Sequence, residues 1–402
     1  MNRTVHPRLP GRRTSISGHW LFDSGGPQLG LGSRTGSLVT SGGCTRQMGT
    51  LGDPRDKFVD NGDCRRENSI SMASLQDVAR RAKVSIATVS RVLNKSGKVV
   101  PSTRAIVEGA LRELRYRPSR VARRLRMKDG RAHLVGLIIP DIQNPFYAEI
   151  ARGVEDAASA SDYALLLCNS DENPEKERFY IDVMRDESVD GIVLPPFDET
   201  DSAVIDAIKS GIPVVCVDRS LSKLSTDLVE VDNRRGAFDA VMHLLDKGHR
   251  RIGLIEGRTH VSTNRERRRG YADALEERGV AFRKDLVRTG DFKQESGRML
   301  AQELLALRRP PTALFVLNNL MTVGALAALH QRRLSVPRDV AIVGFDDLPW
   351  AEALNPPLTV VRQPAYSVGR QAMELLLQRI VEPDRPPITV RLMPELIVRQ
   401  ST

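Results

Sequence analysis

The sequence predicts two unlike parts within its 402 residues. One is a small all-α helix-turn-helix headpiece followed by a hinge helix. The other is a two-lobe α/β body of parallel sheets flanked by helices. Three observations predict this. First, charge is segregated. The chain carries net +10, but residues 72–130 hold 15 Lys and Arg against 4 Asp and Glu, whereas residues 131–402 hold 35 against 40. Second, the basic stretch contains two short helical periods separated by a three-residue turn. Third, from residue 134 onward short apolar runs alternate with amphipathic stretches, the pattern of strands paired through helical crossovers.

Residues 1–71 contain 12 Gly and 4 Pro and no sustained helix or strand period. Such a segment buries too little apolar surface to offset its ordering entropy. Two expectations follow: a disordered extension, or a start-site over-call with Met72 as the true start. Intact mass of the native product decides between them. Arg12-Arg13 is followed by no apolar segment, so neither a twin-arginine nor a secretory signal is expected. The sequence has no run of 18 apolar residues, which excludes a transmembrane helix and any membrane partner of that kind. None of the 4 Cys forms a CxxC pair, so no zinc ribbon or redox dithiol is expected, and a reducing cytoplasm fits so few thiols.

The headpiece is expected over 72–117. Ser74 caps a first helix, Ser74–Arg81, with Asp77 in its first turn. Ala82-Lys83-Val84 makes the turn. Ser85 caps a second helix, Ile86–Leu93. Val84, Val89 and Val92 face the first helix and leave Ile86, Ala87, Ser90 and Arg91 outward. Outward side chains at the start of such a helix reach base edges in the major groove, where an Arg bridges guanine O6 and N7. A third helix is expected near Pro101–Leu114, with Pro101 at its first position and Leu111 and Leu114 closing the core. Residues 118–130 are read as hinge helix and linker. The run Pro118-Ser119-Arg120-Val121-Ala122-Arg123-Arg124-Leu125-Arg126 is too short to hold a helix alone in water, and phosphate would order it.

The body is expected over 131–402, with strands at Leu134–Asp141, Tyr163–Asp171, Val189–Phe197, Ile212–Ser220, Ile252–Gly257, Ala313–Asn319 and Val340–Asp347. More than 260 residues of this texture is long for one sheet, so two lobes are expected. The first is assigned about 134–232 plus 340–363, the second about 233–339 plus 364–400. Polar residues gather where strands end, the place where open α/β sheets bind ligands. Phe146 and Tyr147 follow the first strand, Asp218 and Arg219 end another, and Arg267 opens a helix. Asn318, Asn319, Asp346 and Gln363 follow later strands, and Phe292 lies on a loop. Aromatic faces beside fixed amide, carboxylate and guanidinium groups suit a sugar. The sequence carries no GxSxG elbow and no Walker loop, and it pairs no nucleophile with a base, so no catalytic residue is expected. His243, His249 and His260 lack metal-ligand spacing. No metal and no cofactor are expected.

The headpiece motifs Ser74-Leu75-Gln76-Asp77-Val78-Ala79, Val84-Ser85-Ile86-Ala87-Thr88-Val89-Ser90-Arg91-Val92-Leu93-Asn94 and Tyr116-Arg117-Pro118 resemble those of LacI-family transcription regulators. The likeness runs from about 72 to 400 and includes a body similar to the periplasmic ribose-binding proteins. It implies that Ser85, Ile86, Ala87, Thr88, Ser90, Arg91 and Asn94 meet operator DNA. It implies the same of Arg120, Ala122 and Arg123 in the hinge, with Leu125 wedged into the minor groove. In the body it implies that Asp218, Arg219, Arg267, Asn318, Asp346 and Gln363 bond sugar hydroxyls while Phe146, Tyr147 and Phe292 sandwich the ring.

Two positions depart from the family pattern. Val100 stands where a capping Ser is common, and Asn319 replaces an acidic residue found in some relatives. The resemblance further implies a homodimer on a pseudo-palindromic, double-stranded operator, most simply a repressor released by a monosaccharide. A regulator whose ligand strengthens DNA binding, and a sugar-binding protein without a DNA role, are the alternatives. No leucine heptads follow the last body element, so no tetramerising tail is expected.

Overall fold

The computed structural model describes residues 73–93, 97–116 and 131–402. The expectations for residues 1–71 and for the hinge at 118–130 lie outside these.

Among the described residues the headpiece has three helices: α1 (Leu75–Ala82), α2 (Ile86–Leu93) and α3 (Pro101–Glu113). Ser74 caps α1 reciprocally. Its hydroxyl oxygen accepts from the Asp77 N–H at 3.2 Å, and its own N–H donates to Asp77 Oδ2 at 2.9 Å. The Ser74 hydroxyl also donates to Asp77 Oδ2 at 2.6 Å, and this bond, with the backbone one to the same carboxyl, holds the Asp77 carboxyl below its usual range. Lys83 takes the left-handed backbone, φ 53, that turns the chain into α2. Ser85 Oγ accepts from the Thr88 N–H at 3.2 Å and starts α2. Val78, Ala79, Ala82, Val89, Val92, Val107 and Ala110 form the buried centre, with Val84, Leu111 and Leu114 partly buried around it. The valine face of α2 thus packs inward as its spacing predicts. The start of α3 has Pro101 at its first position and no side-chain cap from Val100.

The body contains two six-stranded sheets. The first takes β1 (Leu134–Ile139), β2 (Ala164–Asn169), β3 (Gly191–Leu194), β4 (Val214–Val217), β5 (Asp227–Val231) and β11 (Thr389–Leu392), in the order β11-β5-β4-β3-β1-β2, all parallel. The second takes β6 (Ile252–Glu256), β7 (Val287–Thr289), β8 (Ala313–Val316), β9 (Ala341–Phe345), β10 (Thr359–Arg362) and β12 (Glu395–Ile397), in the order β12-β10-β9-β8-β6-β7. Only β12 in this sheet runs antiparallel, against β10.

Helices cover both faces of each sheet, which is why the central strands read as unbroken apolar runs. On the first sheet α4 (Pro145–Ala160) and α11 (Ala365–Val381) pack on one face, and α5 (Pro174–Asp186) and α6 (Ser202–Lys209) on the other. On the second, α7 (Asn233–Asp246) and α8 (Ser262–Glu277) lie opposite α9 (Gln294–Leu305) and α10 (Asn319–Gln331).

The lobe assignment requires correction. Strands β9 and β10, within 340–363, belong to the second lobe, because β9 pairs with β8 and β10 with β9. Helix α11, within 364–400, belongs to the first, where Val368, Ala372, Met373 and Leu376 share a core with Ile150 and Val154 of α4, and β11, in the same range, pairs with β5 of the first sheet. The chain therefore crosses between lobes three times: after β5, after β10, and between β11 and β12. Helices meet at glycines. A Cβ on Gly153 would lie 2.1 Å from the Tyr366 carbonyl oxygen, and one on Gly369 would lie 2.0 Å from that of Ile150, so α4 and α11 touch backbone to backbone.

One buried acid in the first lobe gives a pH prediction. Glu177, only 2% exposed, accepts from the Phe197 N–H at 3.3 Å and lies beside Asp201, which accepts from the same N–H at 3.1 Å. Burial first, then the Asp201 carboxyl, pushes Glu177 up to about 10. The folded state keeps a proton that the unfolded chain gives up near the ordinary carboxylate range. Stability therefore falls as pH rises between those two values. Glu177→Gln removes that proton exchange. The variant is expected to lose less melting temperature than the wild type between pH 6 and 9, by roughly a few degrees. Parallel melting curves test this; equal losses in both proteins would refute the protonated assignment.

Candidate effector cleft and DNA-facing helix

On α2, Ile86, Ala87 and Arg91 are exposed and Ser90 is half-buried, while Val89 and Val92 lie beneath them. Ile86 is 45% exposed, a large apolar side chain left in water at the start of a helix. Ser85, exposed, and Thr88, half-buried, complete that surface, their hydroxyls 2.9 Å apart. Asn94, Arg120, Ala122, Arg123 and Leu125 lie outside the described residues.

In the body, one cavity between the lobes is lined by eight of the ten expected effector residues: Phe146, Tyr147, Asp218, Arg219, Arg267, Phe292, Asn318 and Asp346. The fold explains their convergence. Asp218 and Asp346 sit just past the carboxyl ends of β4 and β9, and Asn144 caps α4 just past β1. Asp218, Asp346 and Phe292 all hold left-handed backbone, with φ of 64, 73 and 70. That conformation is uncommon for a non-glycine residue and marks places where the surrounding structure dictates a side chain's aim.

The first lobe supplies an aromatic pair, Phe146 and Tyr147, with ring centroids 5.1 Å apart and planes at 64°. The Tyr147 hydroxyl donates to Asp218 Oδ2 at 3.1 Å. Burial, joined by the Asp218 charge, raises the Tyr147 hydroxyl well above its ordinary range. Burial also raises the Asp218 and Asp346 carboxyls, against the lowering pull of nearby arginines.

The second lobe supplies Arg267, which is fixed on three sides. Its Nε donates to Asn233 Oδ1 at 2.7 Å, one terminal nitrogen donates to the Leu317 carbonyl at 2.6 Å, and the guanidinium lies 3.8 Å over the Phe345 ring. The same terminal nitrogen is 3.9 Å from Asp346 Oδ2. Asn318 Oδ1 accepts from the Met321 N–H at 2.8 Å and caps α10. Two buried polar atoms among these residues have no hydrogen-bond partner: Arg219 Nε, which stands 3.7 Å from Asp218 Oδ2, and Gln363 Oε1.

Two expected residues are placed differently. Asn319 does not line the cavity. Its Nδ2 donates across to Asn144 Oδ1 at 2.8 Å and so ties one lobe to the other. Gln363 lies outside the cavity too. It donates to Asp346 Oδ1 and faces the adjoining pocket that also contains Phe146 and Asp346. Conversely, Asp141, Asn144, Glu172, Thr263, Lys293 and Leu320 line the cavity without having been singled out as ligands. Asn144 both caps α4 and lines the cavity. Glu172 had a usable signal, since it lies three residues past the end of β2. Lys293 had none, being one charge in a polar loop. It reaches across the lobes to Asp141 at 2.6 Å and Asp171 at 3.4 Å. Arg265 and Glu199, and the Phe197 and His260 rings at 5.3 Å, make further contacts across the cleft.

Among the described residues no cluster of three or more His, Cys, Asp or Glu is placed to share a metal ion. None of their helices is long and apolar enough to cross a membrane.

A helix-turn-helix headpiece followed by a two-lobed body with a strand-end cleft defines a DNA-binding regulator whose body reads a small molecule. Residues 74–119 match the family description for bacterial regulatory proteins of the lacI family, and residues 241–402 match the periplasmic binding protein-like domain. The chain is 39% identical to catabolite control protein A of Priestia megaterium, over 82% of this chain and 99% of that protein. It is 37% identical to the ribose operon repressor of Halalkalibacterium halodurans, over 82% and 97%. The solved lac repressor dimer, bound to operator and the anti-inducer ONPF, superposes with a TM-score of 0.73 at 27% identity, covering 82% of this chain and 99% of that one. The chain belongs to the LacI family. It is a transcriptional regulator with an effector-binding body, not an enzyme.

Proposed function

We propose that this protein is a cytoplasmic, homodimeric repressor that leaves a pseudo-palindromic operator when a monosaccharide binds its cleft. The observation carrying the sugar reading is the cleft itself. Phe146 and Tyr147 from one lobe and Phe292 from the other line it together, with buried polar groups set among them at strand ends. Rings stack on aromatic faces, and hydroxyls pair with fixed amides, carboxylates and guanidinium groups. The names of a ribose operon repressor and the lac repressor among the relatives support the same reading.

The lobes already touch through Asn144–Asn319 and Asp141–Lys293. A ligand between them changes how they close, and it lowers DNA affinity only as far as it prefers the DNA-free arrangement. At the other end of the chain, the exposed face of α2, with Ile86, Ala87 and Arg91, meets base edges.

Operator footprinting with and without D-ribose, D-glucose and D-galactose tests the function. Protection by the protein alone, lost on adding one sugar, is the expected result. Protection that appears only with sugar would reverse the sign, and a thermal-shift titration in which none of the three sugars stabilises the protein would remove the sugar reading. The run from Arg120 to Arg126 adds basic charge beside the headpiece. Operator affinity is therefore expected to fall steeply with salt, and a log–log slope as shallow as about −2 would contradict this.

A further inference from the structure

The cleft's lining carries one more carboxylate than cation. It holds four carboxylates, Asp141, Glu172, Asp218 and Asp346, against three cations, Arg219, Arg267 and Lys293. Every one of those cations already faces a carboxylate. Lys293 reaches Asp141, Arg267 stands 3.9 Å from Asp346, and Arg219 binds Glu172 with both terminal nitrogens, at 2.6 and 3.1 Å. Glu172 is well buried, its side chain 6% exposed. A phosphate group needs cationic donors that are not already satisfied, and a guanidinium locked in a two-pronged carboxylate pair is not available. Only the Nε of Arg219 lacks a hydrogen bond, and it stands 3.7 Å from Asp218 Oδ2. One N–H suits a hydroxyl or ring oxygen rather than a dianion. Behind Glu172, outside the lining, Arg258 donates to the Glu172 carbonyl at 3.4 Å. Glu172 thus stands against two guanidinium groups that would otherwise form an anion site.

We propose that Glu172 sets the charge selectivity of the cleft, so that the effector is an uncharged sugar and its phosphorylated form is shut out. This rests on the sugar reading above and adds to it a residue and a ligand class. A carboxylate at this position repels a ligand phosphate and neutralises the arginine that would hold it. Its loss exposes Arg219 and, behind it, Arg258.

The test is titration of the full chain, by calorimetry and thermal shift, with D-ribose, D-glucose and D-galactose and with the 5- or 6-phosphate of each. Wild type is expected to bind one neutral sugar and to bind its phosphate roughly tenfold or more weakly. Glu172→Gln keeps the shape and removes the charge, so the gap is expected to close by roughly tenfold through tighter phosphate binding. Glu172→Asp keeps the charge and should keep the exclusion, which preserves the comparison if the Gln variant does not fold. A phosphate that binds wild type as tightly as its parent sugar overturns the proposal and leaves the sugar reading standing. A preference unchanged in Glu172→Gln shows that the exclusion is steric and also overturns it. If no sugar of either kind binds, the sugar reading fails and takes this inference with it.

Discussion

Arg267→Ala is expected to weaken effector binding by roughly 100-fold or more while operator protection persists, giving a repressor that no longer responds. The guanidinium is positioned before any ligand arrives. Asn233, the Leu317 carbonyl and the Phe345 ring hold it over the cleft, 3.9 Å from Asp346. A hydrogen bond from a pre-placed charged donor is among the stronger ones a neutral ligand can gain. The truncation also strands the buried Asp346 carboxylate, already raised by burial, without its nearest cation. Losses of that kind exceed the worth of one contact because the group left behind keeps its desolvation cost. Calorimetry with the active sugar measures the first effect, and footprinting with and without sugar measures the second. A variant released from operator at wild-type sugar concentrations would show that Arg267 serves only the core.

Gly369→Ala is expected to destabilise the body by about 3 kcal/mol, the upper range for forcing volume into a packed interior. The added methyl meets the Ile150 carbonyl oxygen at 2.0 Å, and that obstacle is backbone, so α4 and α11 must separate. At about 2–4 °C per kcal/mol the melting temperature should drop by roughly 6–12 °C. Gly109→Ala supplies the contrast. It lies inside α3 with nothing within 4 Å of the new methyl. There the substitution should stabilise the headpiece by about 0.5–1 kcal/mol, since glycine costs a helix interior more chain entropy than alanine does. Thermal melts of both variants measure the pair, and a wild-type melt for Gly369→Ala would mean that the helices yield freely.

The contrast also shows what the sequence could carry. Local patterns were legible. Ser74 with Asp77, the valine face of α2 and the apolar runs of β1, β3, β4, β6, β8 and β9 each announce themselves within a few residues. Short strands did not. β7 and β12 have three residues each, too few to show a period. Partner choice between strands was the larger loss. An apolar run such as Ala341–Phe345 says that it is buried, and nothing in it says which sheet it joins. That is why the sequence puts β9, β10, α11 and β11 in the wrong lobes. Most of the site was legible because ligand groups follow strand ends whichever sheet holds the strand. Lys293 escaped because a charge in a polar loop has the same appearance whether it meets water or a buried partner, whereas Glu172 carried the strand-end signal of the other ligand groups. Asn319 misled for a related reason: adjacent Asn318 and Asn319 share a helix start, and their roles separate only through the Asn144 contact.

The three chain crossings have a mechanical consequence. Two rigid blocks joined by a single strand can swing, twist and slide independently. Joined by three roughly neighbouring struts, they retain one easy motion, rotation about the line the struts define. Occupancy of the cleft is thereby reduced to a single angle. Any residue bridging the gap, whether Asn319, Lys293 or a bound hydroxyl, acts on that same angle, with leverage set by its distance from the axis.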